Sequence, residues 1–403
     1  MRCVVAPPST STTAAAAGRL CFPPRRSSPD CTDLSLVPTH ANTPRRRLRA
    51  TARDAADDAA ALMVARAEAG DLDEAQSLWT QLLHSSAAPR LLSVAPRLLR
   101  AYARLGRPDE VLLAARELSL RSPSSARAVY PLAVSCLGDA GELASMEAAA
   151  LEMGRRGLRV GPATGDAFLR AYAAWGTVPQ MEAAYRRHKR TTGLVPSAAA
   201  IRAVAAAYIA RKKYFKLGAF ARDAGMERRR DVGTLLWNLY LLSFAANFRM
   251  KSLQRVFLEM VGSGPGGGGG VRVRPDLTTF NVRAAAFSKM CMFWDLHLTA
   301  DHMRRDGVAP DLVTHGCFVD AYVERRLARN LTFAFDRLGH GGAEPVVATD
   351  GIVFEAFGKG GFHASSEALM ESAGGKRRWT YYKLLGVVYL SKTHRRNQVF
   401  WNY

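Results

Sequence analysis

The sequence predicts an all-α protein, a right-handed α-solenoid of about nine 35-residue helix–turn–helix repeats. Three recurrences carry that prediction. A small residue followed by an aromatic returns at one register, as Ala101-Tyr102, Ala171-Tyr172, Ala207-Tyr208, Ala286-Phe287, Ala321-Tyr322 and Ala356-Phe357. Glycine follows four residues later at Gly70, Gly106, Gly141, Gly176 and Gly361, the place for a left-handed residue that ends one helix before the next. Proline closes units at Pro196, Pro275, Pro310 and Pro345, where a helix must already have stopped. A helical pair cannot bury its apolar face alone, so such units stack into one continuous core.

Taken in order, the chain begins with residues 1–53, rich in Ala, Ser, Thr and Pro, with nine arginines against two acids, Asp30 and Asp33. That is transit-peptide composition, expected to be disordered, and Pro7, Pro8 and the following Ser/Thr cluster interrupt any secretory apolar core. The array is expected over 54–377, in units 56–91, 92–126, 127–161, 162–197, 198–233, 234–276, 277–311, 312–346 and 347–377. After each fifteenth-position glycine the pattern turns amphipathic with apolar residues three and four apart, as in DLDEAQSLWTQL at 71–82 and ELASMEAAALEM at 142–153. Unit 234–276 is longer because GSGPGGGGG occupies 262–270; no Gly-Lys-Ser/Thr follows and no strand precedes, so it reads as a flexible insertion and not a phosphate loop. Residues 378–403 form a basic and aromatic tail, read as a segment capping the last unit or as a stacking and phosphate-contacting surface.

Composition narrows the function. The 56 Lys+Arg against 35 Asp+Glu give +21 over 403 residues, and a pI near 10.2 favours an anionic partner. Six cysteines lie far apart with no C-x-x-C, so neither a disulfide framework nor a zinc site is indicated. The longest apolar run, LLWNLYLLSFAANF at 235–248, contains Asn238 and is too short to span a bilayer. The mature protein is therefore expected to be soluble in a reducing compartment. No His is followed by x-Glu and no nuclease-like carboxylate cluster is evident. The expectation is a protein that is not an enzyme, with no cofactor, no metal and no small-molecule substrate.

The unit LTTFNVRAAAFSKMCMFWDLHLTADHMRRDGVAPD at 277–311 has an aromatic-Asn near its start and closes on Gly-hydrophobic-x-Pro-Asp. It resembles the pentatricopeptide repeats of plant organelles, in their pure-repeat (P-type) branch, over about 320 residues. A tetratricopeptide array is the nearest rival, but its period of 34 and its lack of the Pro-Asp boundary disfavour it. The resemblance implies single-stranded organellar RNA as partner, together with other RNA-processing proteins, and a role in intron splicing or transcript stabilisation. It implies a chloroplast stromal location, with the mitochondrion as alternative.

In that family the fifth and last residues of each unit read one base. Carried over, the pairs are Asn238 with Asp276 and Asn281 with Asp311, which implies a preference for uracil. Independently of the resemblance, Asn inside a helix is disfavoured by roughly 0.6 kcal/mol relative to Ala, so something should compensate. An amide can donate to and accept from a base edge. Asp276 and Asp311 equally suit helix N-caps, and either role or both fit. On the reading interpretation, Asn281→Ala weakens RNA binding and leaves stability almost unchanged. Weaker reading candidates are Asp166 with Ser197, and Arg202, whose unit ends on Gly233. Phosphate or stacking candidates are Arg211, Lys212 and Lys213 in the array and Arg377, Arg378 and Trp379 near the end. The basic runs 186–190 and 228–230 are candidates for a phosphate track. A scaffold that joins a ribonucleoprotein without reading bases is the alternative function.

Overall fold

The structure, a computed structural model, describes residues 44–84, 88–262, 273–327, 330–338, 346–359 and 363–366, without the side chains of 44–56, 88–90 and 332. Two compact units divide the chain, Met1–Ala52 and Arg53–Tyr403. The second holds the array. The described residues contain no strand, and none of their helices is long and apolar enough to cross a membrane.

Helices come in pairs, one pair per repeat: α1 (Pro44–Ala69) with α2 (Leu72–His84), α3 (Ala88–Arg104) with α4 (Pro108–Ser119), α5 (Pro123–Ala140) with α6 (Leu143–Arg155), and α7 (Pro162–Trp175) with α8 (Val178–Thr192). The series continues with α9 (Ala198–Ala210) and α10 (Tyr214–Asp223), α11 (Gly233–Ala246) and α12 (Met250–Gly262), α13 (Leu277–Lys289) and α14 (Phe293–Arg305), and α15 (Leu312–Glu324) and α16 (Leu331–Leu338), then α17 (Gly351–Lys359). Helix α1 begins at Pro44, ten residues inside the segment expected to be disordered. The earlier part of that segment, the glycine run from 263 and the basic-aromatic tail lie outside the described residues.

Four first helices, α5, α9, α13 and α15, start at side-chain caps. Ser122, Ser197, Asp276 and Asp311 each accept from the backbone N–H three residues on, and the hydroxyl oxygens of Thr279 and Thr314 in turn accept from the N–H of Asp276 and Asp311. Each such cap contributes about 1 kcal/mol. The Ser122 cap starts α5 four residues ahead of the expected unit boundary, so Pro131 stands inside the helix, as Pro96 does in α3.

Between the helices of a pair, the fifteenth residue turns left-handed, as expected, at Gly70, Gly106 and Gly141. The same turn is made without glycine at Lys212, Phe248, Cys291 and Arg326, with φ from 51° to 60°. Gly176 departs from the rule: its φ is −89°, and glycine is needed there because a Cβ would lie 2.7 Å from the carbonyl oxygen of Tyr172.

First helices pack side by side from repeat to repeat, α3 on α5, α5 on α7 and α7 on α9, then α11 on α13 and α13 on α15. This tighter row is the inner face of the array, and the second helices form the outer row. The small-aromatic pairs lie between rows, and all are buried except the half-buried Tyr172. Their tyrosines also tie neighbours together. The hydroxyls of Tyr102, Tyr172 and Tyr208 donate to Gln76, Glu147 and Glu182, at 3.4, 2.8 and 3.2 Å, and the Tyr322 hydroxyl meets His297 at 2.8 Å. Every partner is the twenty-first residue of the preceding unit.

The unit expected at 347–377 does not simply extend the stack. Its helix α17 packs on α9, α11 and α13, the first helices of earlier repeats. The physical reason is that residues 346–350 find hydrogen-bond partners on α9, on α13 and at the start of α15, as described next.

Candidate nucleic-acid interface

The fifth and last residues of three repeats meet on the inner row. Asn281 Nδ2 donates to Asp311 Oδ1 at 2.8 Å, and Asn281 Oδ1 accepts from the Thr314 hydroxyl at 2.7 Å. Asn238 repeats the arrangement with Asp276 at 3.0 Å and Thr279 at 2.6 Å. Both amides are buried, 0% exposed for Asn281 and 2% for Asn238. The compensation expected for a helical Asn is thus supplied inside the chain. One aspartate caps the following helix and fixes the preceding Asn, so capping and pairing share a carboxylate. The threonines escaped the sequence reading, although the D-x-x-T spacing of DLTT and DLVT at 276 and 311 is a capping-box signature.

Asp166 and Ser197 meet in the same way with donor and acceptor exchanged. The Ser197 N–H and hydroxyl both donate to Asp166, each at 2.7 Å. Beside them opens a cleft of about 560 Å³ whose lining includes Pro131, Pro162, Arg170, Val195 and both members of the pair. Apolar walls, one carboxylate, one guanidinium and the hydroxyls of Ser135, Thr164 and Ser197 suit a flat heterocycle with a polar edge. Arg170 lies 3.7 Å from Asp166 and 3.4 Å from Asp139. Asp166 and Ser197 therefore sit beside open space, while the amides of Asn238 and Asn281 are buried.

Arg202 meets no partner at the end of its own unit. It grips Asp350 in two bonds of 2.9 and 2.6 Å. Burial pushes the Asp350 carboxyl up, but Arg202 and the Ile352 N–H more than offset this and hold it below the usual carboxylate range. Arg211 donates to the carbonyl oxygens of Ala207 and of Gly176 in the preceding repeat, at 3.3 and 3.1 Å. Lys212 is the left-handed turn residue and Lys213 the residue before α10, so this trio belongs to an inter-helix turn, although all three are exposed.

The run at 186–190 lies on α8, in the outer row, where Arg187 pairs with Glu147 and Lys189 with Asp223. Arg229 is engaged by Asp231 and by the Pro196 carbonyl. Within these runs Arg187, Lys189 and Arg229 are thus engaged by carboxylates, and the second run lies between α10 and α11. Arg377, Arg378 and Trp379 lie outside the described residues. No group of three or more His, Cys, Asp and Glu among the described residues could hold a metal ion.

No family model matches the chain. A pentatricopeptide repeat-containing protein of Arabidopsis thaliana, described as chloroplastic, is 30% identical over 186 residues, 45% of this chain and 35% of that protein. Over that stretch the chain is similar to a pentatricopeptide repeat protein. The array spans about a third of that relative's length. Among solved structures it is similar to the maize pentatricopeptide repeat protein PPR10, with 22% identity, a TM-score of 0.44, and coverage of 83% of this chain and 47% of that one. It is also similar to PPR10 in complex with an 18-nucleotide psaJ RNA element, with 17% identity, a TM-score of 0.37, and coverage of 83% and 53%.

Proposed function

We propose that the protein binds single-stranded RNA along its inner row of first helices, in the chloroplast stroma, as a P-type pentatricopeptide protein that assists intron splicing or transcript stabilisation. The observation that carries this reading is the Asp166 and Ser197 pair beside its cleft. It repeats the positions of the two Asn and Asp pairs in a form with room for a base. The net charge of +21 supports an anionic partner, and the chloroplastic description of the Arabidopsis relative supports the location. The role is binding, with Asp166 and Ser197 addressing a base edge and Arg170 the nearest cation for a phosphate. Other RNA-processing proteins act on the bound transcript.

A second reading, a scaffold inside a ribonucleoprotein, is favoured by the internal satisfaction of Asn238 and Asn281. Sequencing the RNA that co-purifies with the protein from chloroplasts separates the two. RNA reading predicts a short recurrent sequence in one or a few transcripts. A scaffold brings down the RNA of its partners with no shared site.

A further inference from the structure

The inner face carries its own occupant. Residues 346–350 run across the first turns of α13 and the cap of α15. Asp311 Oδ2 accepts from the Ala348 N–H at 3.1 Å, the Thr349 N–H at 3.0 Å and the Thr349 hydroxyl at 2.7 Å. The second amide hydrogen of Asn281 goes to the Thr349 hydroxyl oxygen at 2.8 Å. The Leu312 N–H donates to the Val346 carbonyl at 3.1 Å, and the Asp350 N–H donates to the Thr278 hydroxyl at 2.9 Å. Arg202, 148 residues away in sequence, clamps Asp350, and Val353, Ala356 and Phe357 of α17 are buried in the core.

A second stretch, 363–366, sits on α15. Ser365 donates its N–H and hydroxyl to Asp320 at 3.1 and 2.6 Å. The fifth position of that repeat is Gly316, where a Cβ would lie 2.9 Å from the Ser365 Cβ and 3.1 Å from His363. A side chain there would expel this stretch. The fifth residues of three repeats, Arg202, Asn281 and Gly316, are therefore all adapted to one segment of the same chain.

We propose that residues 346–359 form an internal competitor for RNA, a strap that takes the hydrogen-bonding positions of Asn281 and Asp311 and must leave before this repeat can read a base. Thr349 offers these two side chains what a base edge would offer, a donor to the carboxylate and an acceptor to the amide. While docked, the strap leaves the Asp166 and Ser197 cleft as the open reading position, so RNA binds first there and engages the later repeats only as the strap yields. Apparent affinity is the intrinsic affinity scaled by the fraction of molecules with the strap released. This inference rests on the RNA-reading function proposed above.

The test uses the full chain, a uridine-rich 14-nucleotide RNA, and the charge-neutral variants Thr349→Val and Ala348→Pro/Thr349→Val, with Thr349→Ser as the conservative control. Amide hydrogen exchange over 346–355 reports strap docking and fluorescence anisotropy reports RNA binding. The expected result is faster exchange in both variants with RNA affinity raised about fivefold, parental behaviour in Thr349→Ser, and circular dichroism unchanged in at least the single variant. The proposal is overturned if the parent already exchanges over 346–355 as fast as an unfolded peptide, if neither variant changes exchange, or if exchange rises in the variants and they bind the RNA no more tightly than a parent that binds it. If exchange rises and neither parent nor variants bind the RNA, the RNA-reading function itself fails and the strap has nothing to compete with.

Discussion

Asn281 shows how burial changes the meaning of a substitution. Its side chain holds Asp311, Thr314 and Thr349, so Asn281→Ala strands buried polar groups, and the gain in helix propensity does not offset that. We expect a loss of about 1–3 kcal/mol in urea unfolding, in contrast to the near-neutral effect anticipated from propensity alone. The Asn and Asp positions were legible because they recur at the repeat spacing. Their burial was not, because the covering residue, Thr349, lies 68 residues from Asn281.

At His188, on α8, burial is the main cause and the neighbouring Arg187 charge a second one, lowering the imidazole from 6.5 to about 4. The ring stacks on Phe168 at 4.9 Å. A folded-state value below the unfolded one means that the unfolded chain takes the proton first. The neutral ring's contribution is complete above pH 6.5 and is lost as the pH falls from 6.5 towards 4. The slope amounts to about 2–3 kcal/mol across that window, and His188→Leu should remove it from a stability profile measured between pH 7 and 4.

At the scale of the element, the turn inside each repeat is the most regular feature and the least completely readable one. Glycine announced it at Gly70, Gly106 and Gly141, but Lys212, Phe248, Cys291 and Arg326 adopt the same left-handed backbone, and nothing in their chemistry signals it. Arg326→Gly should stabilise the protein by about 1 kcal/mol, read as a raised Tm, because the β-carbon is strained in that conformation. Arg283 is the opposite case, a charge written into a helix core. It is 1% exposed, lies over Phe257 at 4.4 Å and Phe287 at 5.4 Å, and burial lowers its guanidinium to about 10. Its Nη1 lies 2.9 Å from His302 Nδ1, while Nε and Nη2 have no partner. Arg283→Met should therefore be neutral or stabilising in thermal unfolding, since an apolar chain of similar length fills the slot without a desolvated charge.

For the whole molecule, the 35-residue period was legible because every repeat solves the same packing problem with the same residue types. The inter-repeat tyrosine ties follow that period and could have been read from the polar residue ten positions beyond the tyrosine's register in the preceding unit. The strap breaks the period: residues 347–359 carry the expected Ala356-Phe357 pair, yet α17 docks on α9, α11 and α13, a choice made by contacts such as Arg202 with Asp350 that no local pattern encodes. The inner row thus divides into an open part around Asp166 and a covered part around Asn281.

The central claim, that this row binds single-stranded RNA through its fifth and last residues, is tested most directly by titrating the full chain with a pyrimidine-rich single-stranded RNA at several salt concentrations, parent beside Asp166→Ala. RNA reading predicts an affinity that falls steeply with salt, exceeds that for duplex DNA of equal length, and drops about fivefold to tenfold in Asp166→Ala, on the order of 1 kcal/mol for the lost hydrogen bonds. Equal binding of RNA and duplex DNA, with Asp166→Ala indistinguishable from the parent, would contradict it and leave only the attraction of a basic chain for any polyanion.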